Sequence, residues 1–190
     1  MIDKKNKHGI DVYVNYFRRY EKGFIKVKKE LDNIGTLVDV RGYYTKGLRN
    51  NGSHIIDLLH WLFGNSIQAK LTSKLVNSEF PTASFEIEFD KALVHIQGLD
   101  YSNFELFELD FIGSKGRIKI LEGGRVIEFY SVADSSEYDG YKNLKLDFVH
   151  KDTINYFMKE GLNCVLNGCS MTTLEEDYNT QKIVDSLEFP

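Results

Sequence analysis

The sequence predicts an α+β protein: an open, mostly antiparallel sheet of about six or more strands, with helices on one face. Three observations carry this. Six segments between residues 67 and 131 read as strands joined by short links. Helical periodicity is confined to stretches before and after that block. Phe85, Ile87 and Phe89 alternate with Glu86 and Glu88, the pattern of a strand with one wet side. Helices segregated from a meandering sheet fit an α+β layer arrangement.

In chain order, residues 1–9 are polar and short of a helix capped at both ends; they read as the tail of something longer. Residues 10–17 alternate as a strand without an adjacent neighbour, whose pairing partner is expected in a neighbouring chain or a refolded segment. Residues 24–31 space Phe24, Val27 and Leu31 as a short helix closed by Asn33 and Gly35. Residues 36–44 form a strand, and residues 50–64 a buried helix with cap-type Asn50, Asn51 and Ser53 before it and Gly64 behind it. Strands follow at 67–76, 83–89, 92–98, 104–112, 116–121 and 125–131, with turns at Asp90-Lys91, Ser114-Lys115 and Gly123-Gly124. Residues 133–141 are a polar loop. Helical spacing returns from Leu144 through Leu146, Val149, Ile154, Phe157 and Met158 to Leu166. A last helix at 173–187 opens on a capping box, Thr172 with Glu175 or Thr173 with Glu176.

With 13 Phe and 11 Tyr, the sheet is expected to expose an aromatic face, a large apolar patch that calls for a partner. The net charge is 24 − 28 = −4, which argues against nucleic acid as the main partner. The positives crowd the first thirty residues, where they make either a phosphate-binding patch or a solvated helix face. No apolar run reaches the length of a membrane span. Cys164 and Cys169 lack a second pair for zinc and read as reduced thiols in a cytoplasm.

A nicotinamide enzyme carries a G-x-G-x-x-G turn after its first strand, so that backbone amides at a helix start meet the pyrophosphate. That turn is absent. Gly113-x-x-Gly116 lies between two strands and reads as a hairpin. There is no P-loop, no H-E-x-x-H and no nucleophile elbow, and His8, His95 and His150 stand singly, so no metal site is expected. His54 and Asp57, one turn apart on a buried helix, are the remaining chemical candidates. An imidazole can take a hydroxyl proton near neutral pH, with Asp57 orienting the ring or holding a substrate hydroxyl. A core histidine bonded to a neighbouring carboxylate fits the pattern equally well. His60 lies off that face. Arg18 and Arg19 either reach a phosphate or sugar, or form a surface pair.

Three pieces together resemble the glucose-fructose oxidoreductase/inositol dehydrogenase (Gfo/Idh/MocA) family. They are residues 14–23 with the following Lys-rich helix and Ile34-Gly35; Gly52-x-His54-x-x-Asp57-x-Leu59-x-x-Leu62-x-Gly64; and the hairpin at 110–116. The resemblance runs essentially from Val12 to the C-terminus. It implies the substrate-binding and dimerisation domain of an NAD(P)-dependent oxidoreductase of a sugar, inositol or nucleotide sugar. The fold implied is a glyceraldehyde-3-phosphate dehydrogenase-like C-terminal domain, at 34–190, with 1–33 a remnant of the nucleotide-binding domain. By position, His54 matches the catalytic histidine and Asp57 the substrate-binding acid. Asn50 and Asn51 would bind sugar hydroxyls, and Arg19 falls near the cofactor. Many members carry an aspartate where this chain has Asn50, and an amide cannot accept a proton. The resemblance further implies NAD or NADP in the full-length enzyme and none on this chain alone, which by itself is expected to be inactive. It implies a homodimer through the open sheet face. A stand-alone, non-catalytic binding or oligomerisation module of the same fold is the alternative.

Overall fold

The structure, a computed structural model, describes residues 1–75, 79–151, 157–167 and 172–188. Eight strands form the main sheet in the order β3-β4-β5-β2-β6-β7-β8-β9. They are β2 (Leu37–Tyr44), β3 (Gln68–Leu75), β4 (Thr82–Phe89), β5 (Ala92–Gly98), β6 (Phe107–Gly113), β7 (Gly116–Leu121), β8 (Val126–Asp134) and β9 (Lys142–Lys151). Only β2 and β5 pair in parallel; every other neighbour in this sheet is antiparallel. The α+β class and the hairpin links stand as expected. Ser114 and Lys115 of the Gly113–Gly116 turn donate backbone N–H groups to the Thr36 and Ile34 carbonyls, so that turn is structural.

Five helices are described: α1 (Ile2–His8), α2 (Lys22–Glu30), α3 (Ser53–Phe63), α4 (Phe157–Leu166) and α5 (Leu174–Glu188). Phe24 and Val27 of α2, Ile55, Ile56, Leu58 and Leu59 of α3, and Val184 and Leu187 of α5 share one core with the inward side chains of the sheet. Each such large aliphatic side chain contributes about 1.5–3 kcal/mol by leaving water. Phe24, Val27 and Leu31, on the N-terminal side of the boundary expected at 33/34, lie in the same cluster as the sheet.

Several expectations are revised. Residues 1–9 hold a helix, α1, ended by Gly9 in the left-handed conformation (φ 61°) and tied to α5 by Lys5–Glu175 at 3.0 Å. The strand expected at 10–17 shrinks to β1 (Tyr13–Val14), and its partner is β10 (Thr172–Thr173) of the same chain. Residues from Leu144 to Lys151 are strand, not helix: apolar residues at every second position found a long neighbour in β8, and tertiary pairing overrode the local spacing. Val76, Ile154 and Cys169 lie outside the described residues. Cys164 stands in a disulfide, not as the free thiol expected.

The expected aromatic outer face is also corrected. Phe85, Phe89, Phe107, Phe111 and Phe129 are all buried on the helix-covered side, because the period of two sends them inward together. The other side carries His95 beside Glu86 (3.2 Å), Arg117 donating to Asp110 (2.8 Å) and Tyr130 donating to Glu128 (2.6 Å), with Tyr43 and Leu93 among them.

Candidate active site

The candidate residues collect at the end of the sheet where β2 and β5 finish and β6 and β8 begin. There the chain leaves Tyr44, passes Lys46 in a left-handed conformation (φ 65°) and Gly47 (φ 78°), and makes one π-helical turn at Gly47–Gly52 before entering α3. A π turn widens the helix entry and is a recurrent feature of functional sites. It also displaces the expected N-cap: Gly52 is already helical, and the Ser53 hydroxyl donates back to the Asn50 carbonyl at 2.7 Å. At the other end the cap holds, the Gly64 N–H reaching the His60 carbonyl at 2.8 Å. Asn50 is exposed on this turn. Asn51 is buried, and its amide nitrogen has no hydrogen-bond partner among the described residues.

His54 occupies the first turn of α3, half-buried. Its ring meets Tyr16 edge-on (centroids 5.1 Å, planes 88° apart) and Phe17 at 5.5 Å. Tyr16 is anchored in turn: its hydroxyl donates to Asp177 of α5 at 3.1 Å and accepts from Gln181 at 3.4 Å. Burial, helped by the nearby Arg18 charge, pushes the His54 imidazole down to about 3, so it is neutral at pH 7. Among the described residues no hydrogen bond joins it to Asp57.

Asp57 turns inward and is only 2% exposed. The Arg19 guanidinium grips both its carboxylate oxygens, Nε to Oδ2 at 2.9 Å, and extends Nη1 to Glu176 of α5 at 2.9 Å. Burial pushes the Asp57 carboxyl up while the Arg19 fork pulls it back. Burial works against the Arg19 charge too, but the bonds from Asp57 and Glu176 hold that guanidinium above its ordinary value. Buried against each other, Asp57 and Arg19, the positions expected to hold substrate and cofactor, join α3, α5 and the chain before α2. His60 likewise links elements, its ring lying between Thr180 (3.4 Å) and Ser66 (3.2 Å), and burial lowers it to about 4.

The residue that faces open space is Arg18. Phe17–Tyr20 is a 3-10 turn, in which successive side chains diverge by about 120°. Arg19 consequently enters the core while Arg18 lines a cavity of about 320 Å³ with Phe17, Glu105, Phe107, Glu122 and Arg125. The only sequence sign of this was the Arg18-Arg19 pair itself, which cannot say which arginine points where.

No family model and no curated relative matches the sequence. Solved structures do. The MviM dehydrogenase from Clostridium difficile superposes with TM-score 0.68 at 14% identity, over 98% of this chain and 64% of that one. An NAD binding oxidoreductase from Klebsiella pneumoniae gives 0.72 at 13%, over 98% and 65%. The super-repressor mutant of Gal80p from Saccharomyces cerevisiae gives 0.73 at 11%, over 98% and 64%. The chain has the fold of the C-terminal domain of Gfo/Idh/MocA-type oxidoreductases.

The Gfo/Idh/MocA-type C-terminal fold accounts for nearly all of this chain, which spans about 64% of the Clostridium difficile protein's length. Among the described residues the turn between β2 and α3 holds Gly47 and Gly52 but no G-x-G-x-x-G spacing, and the Gly113–Gly116 turn joins two strands. Among the described residues no three His, Cys, Asp or Glu side chains are grouped for a metal, and no described helix is long and apolar enough to cross a membrane.

Proposed function

We propose that this chain is the substrate-binding and subunit-pairing domain of an NAD(P)-dependent oxidoreductase acting on a sugar, inositol or nucleotide sugar. The observation that carries the reading is a neutral imidazole, His54, at a helix start beside the Phe17–Arg18 turn. Two of the fold neighbours, named as a dehydrogenase and an NAD binding oxidoreductase, support it. The nicotinamide, which accepts the hydride, belongs in this reading to sequence beyond these 190 residues. What this chain does is receive the substrate. His54, unprotonated, accepts a hydrogen bond from a substrate hydroxyl, and Asn50 offers an exposed amide to a neighbouring one. Asp57 and Arg19 keep α3 in register with the Phe17 turn, so that the imidazole stays in place.

The test follows the His54 ring signals by NMR while myo-inositol and a nucleotide sugar are added, with NAD(H) in a separate thermal-shift series. The expected result is a His54 shift with one of the sugars and an unchanged melting temperature with NAD(H). A His54 signal indifferent to every sugar removes the substrate role, and a clear NAD(H) effect removes the division of labour.

A second reading, a non-catalytic module of the same fold, is favoured by the likeness to Gal80p, the solved form of which is named a super-repressor. The DNA upstream separates the two, because a strand followed by G-x-G-x-x-G in the same reading frame supports the oxidoreductase.

A further inference from the structure

The cavity beside the Phe17 turn contains four charged side chains, and three of them are accounted for. Glu105 is paired with Lys46 at 2.8 Å, and Glu122 faces Arg125 at 3.8 Å. Arg18 has no ion pair and no hydrogen bond among the described residues, and its Nε is buried without a partner there. Its contacts are aromatic: the guanidinium carbon lies 3.7 Å from the Phe107 ring centre and 5.0 Å from that of Phe17. Glu105, Glu21 and Asp57 act on it only through space, and burial drives the guanidinium down to about 10. A buried charge left unpaired is costly, and stacking on an aromatic face leaves the in-plane N–H groups free to donate. Among the described residues Arg18 thus makes no direct ion pair, and its guanidinium is presented as a planar fork on the wall of an open cavity.

We propose that this cavity is an anion site, taking a ligand whose carboxylate or phosphate oxygens pair with the Arg18 guanidinium. The fork matches two oxygens of one group, and a charge-assisted pair of this kind is stronger than any contact a neutral hydroxyl makes. The site adjoins the one proposed above for substrate and narrows that substrate to an acidic or phosphorylated one, to which extent it rests on that reading. The unpaired arginine itself does not depend on it.

The experiment titrates the chain with inorganic phosphate, glucuronate and glucose, reading the Arg18 Nε–H signal and the His54 titration by NMR. Phosphate, glucuronate or both should move the Arg18 signal, while glucose should not. Because the Arg18 charge helps hold His54 down, a bound anion should also shift the His54 titration upward. Arg18→Met, which keeps the packing on Phe107, should weaken anion binding by at least about tenfold. Arg18→Lys serves if the Met variant does not fold, and should weaken binding while retaining some of it. The sugar acid and phosphate arms tell the two ligand sources apart. An unmoved Arg18 signal with both anions, an equal response to glucose, or Arg18→Met binding as tightly as the parent would each overturn the proposal. No nicotinamide or hydride transfer enters this assay. Anion binding by this chain, together with a full-length protein that transfers no hydride to NAD(P), would overturn the enzyme reading and leave the anion site standing.

Discussion

A histidine kept neutral by burial is a stability element as well as a chemical one. His54 and His60 sit at about 3 and about 4, against 6.5 for the free side chain. As pH falls below 6.5 the unfolded chain takes up a proton at each position and the folded chain does not. Their contribution is therefore complete above pH 6.5 and drains away as pH drops toward 4. Asp57, raised to about 7, works in the opposite sense: its contribution is complete below its unfolded value of 3.8 and is lost as pH rises through 7. Two groups outweigh one, so the fold should weaken on mild acidification. His60→Gln should flatten the stability profile between pH 6.5 and 4 by up to about 1.4 kcal/mol per pH unit, measured by urea unfolding at a series of pH values. An unchanged slope would mean that His60 titrates normally in the fold.

At the scale of elements, the Phe17–Tyr20 turn, α3 and α5 are joined through Arg19, which touches Asp57 and Glu176 at once. Asp57→Ala would leave a guanidinium that is only 7% exposed with Glu176 as its one remaining carboxylate partner among the described residues, at a cost of about 3 kcal/mol in urea unfolding. A loss below about 1 kcal/mol, the range of surface pairs, would show that the lock is not what holds these elements. The same region separates what local sequence could say from what it could not. The capping box was readable, and Thr173 and Glu176 do cap each other, Glu176 accepting from the Thr173 N–H at 2.9 Å and donating its own N–H to the Thr173 hydroxyl at 3.2 Å. The partner of Tyr13–Val14 was not, since Thr172–Thr173 lies near the other end of the chain and no local pattern links them. Nor was the π turn before α3. Its Gly47 packs against Phe80 and Pro81, and its Leu48 N–H reaches the Pro81 carbonyl, both contacts set by the path of β4.

At the scale of the whole molecule, the outer sheet face bears on assembly. A register shift between Phe129 and Tyr130 in the β8–β9 pair sets Leu146 opposite Tyr130 and Leu144 opposite Val132, away from the core. Together with Tyr43 and Leu93 they give a partly apolar face interrupted by ion pairs, a mixture common in interfaces between subunits. Pairing of two copies through this face, the arrangement the family resemblance implies, makes a concrete demand: Tyr43→Asp combined with Leu146→Asp should convert a dimer into monomers in sedimentation equilibrium without unfolding it. A monomeric parent protein would dispose of the idea.

Alternation of apolar residues determined the strands, and short polar links determined the hairpins, because both are decided by neighbours in the chain. The same local logic marked α3 as buried and placed His54 on it. Which face the phenylalanines cover, which arginine reaches the core and which lines the cavity were decided only when distant strands and helices closed on one another. Direction in space depends on packing, and packing is settled by residues far apart in the sequence.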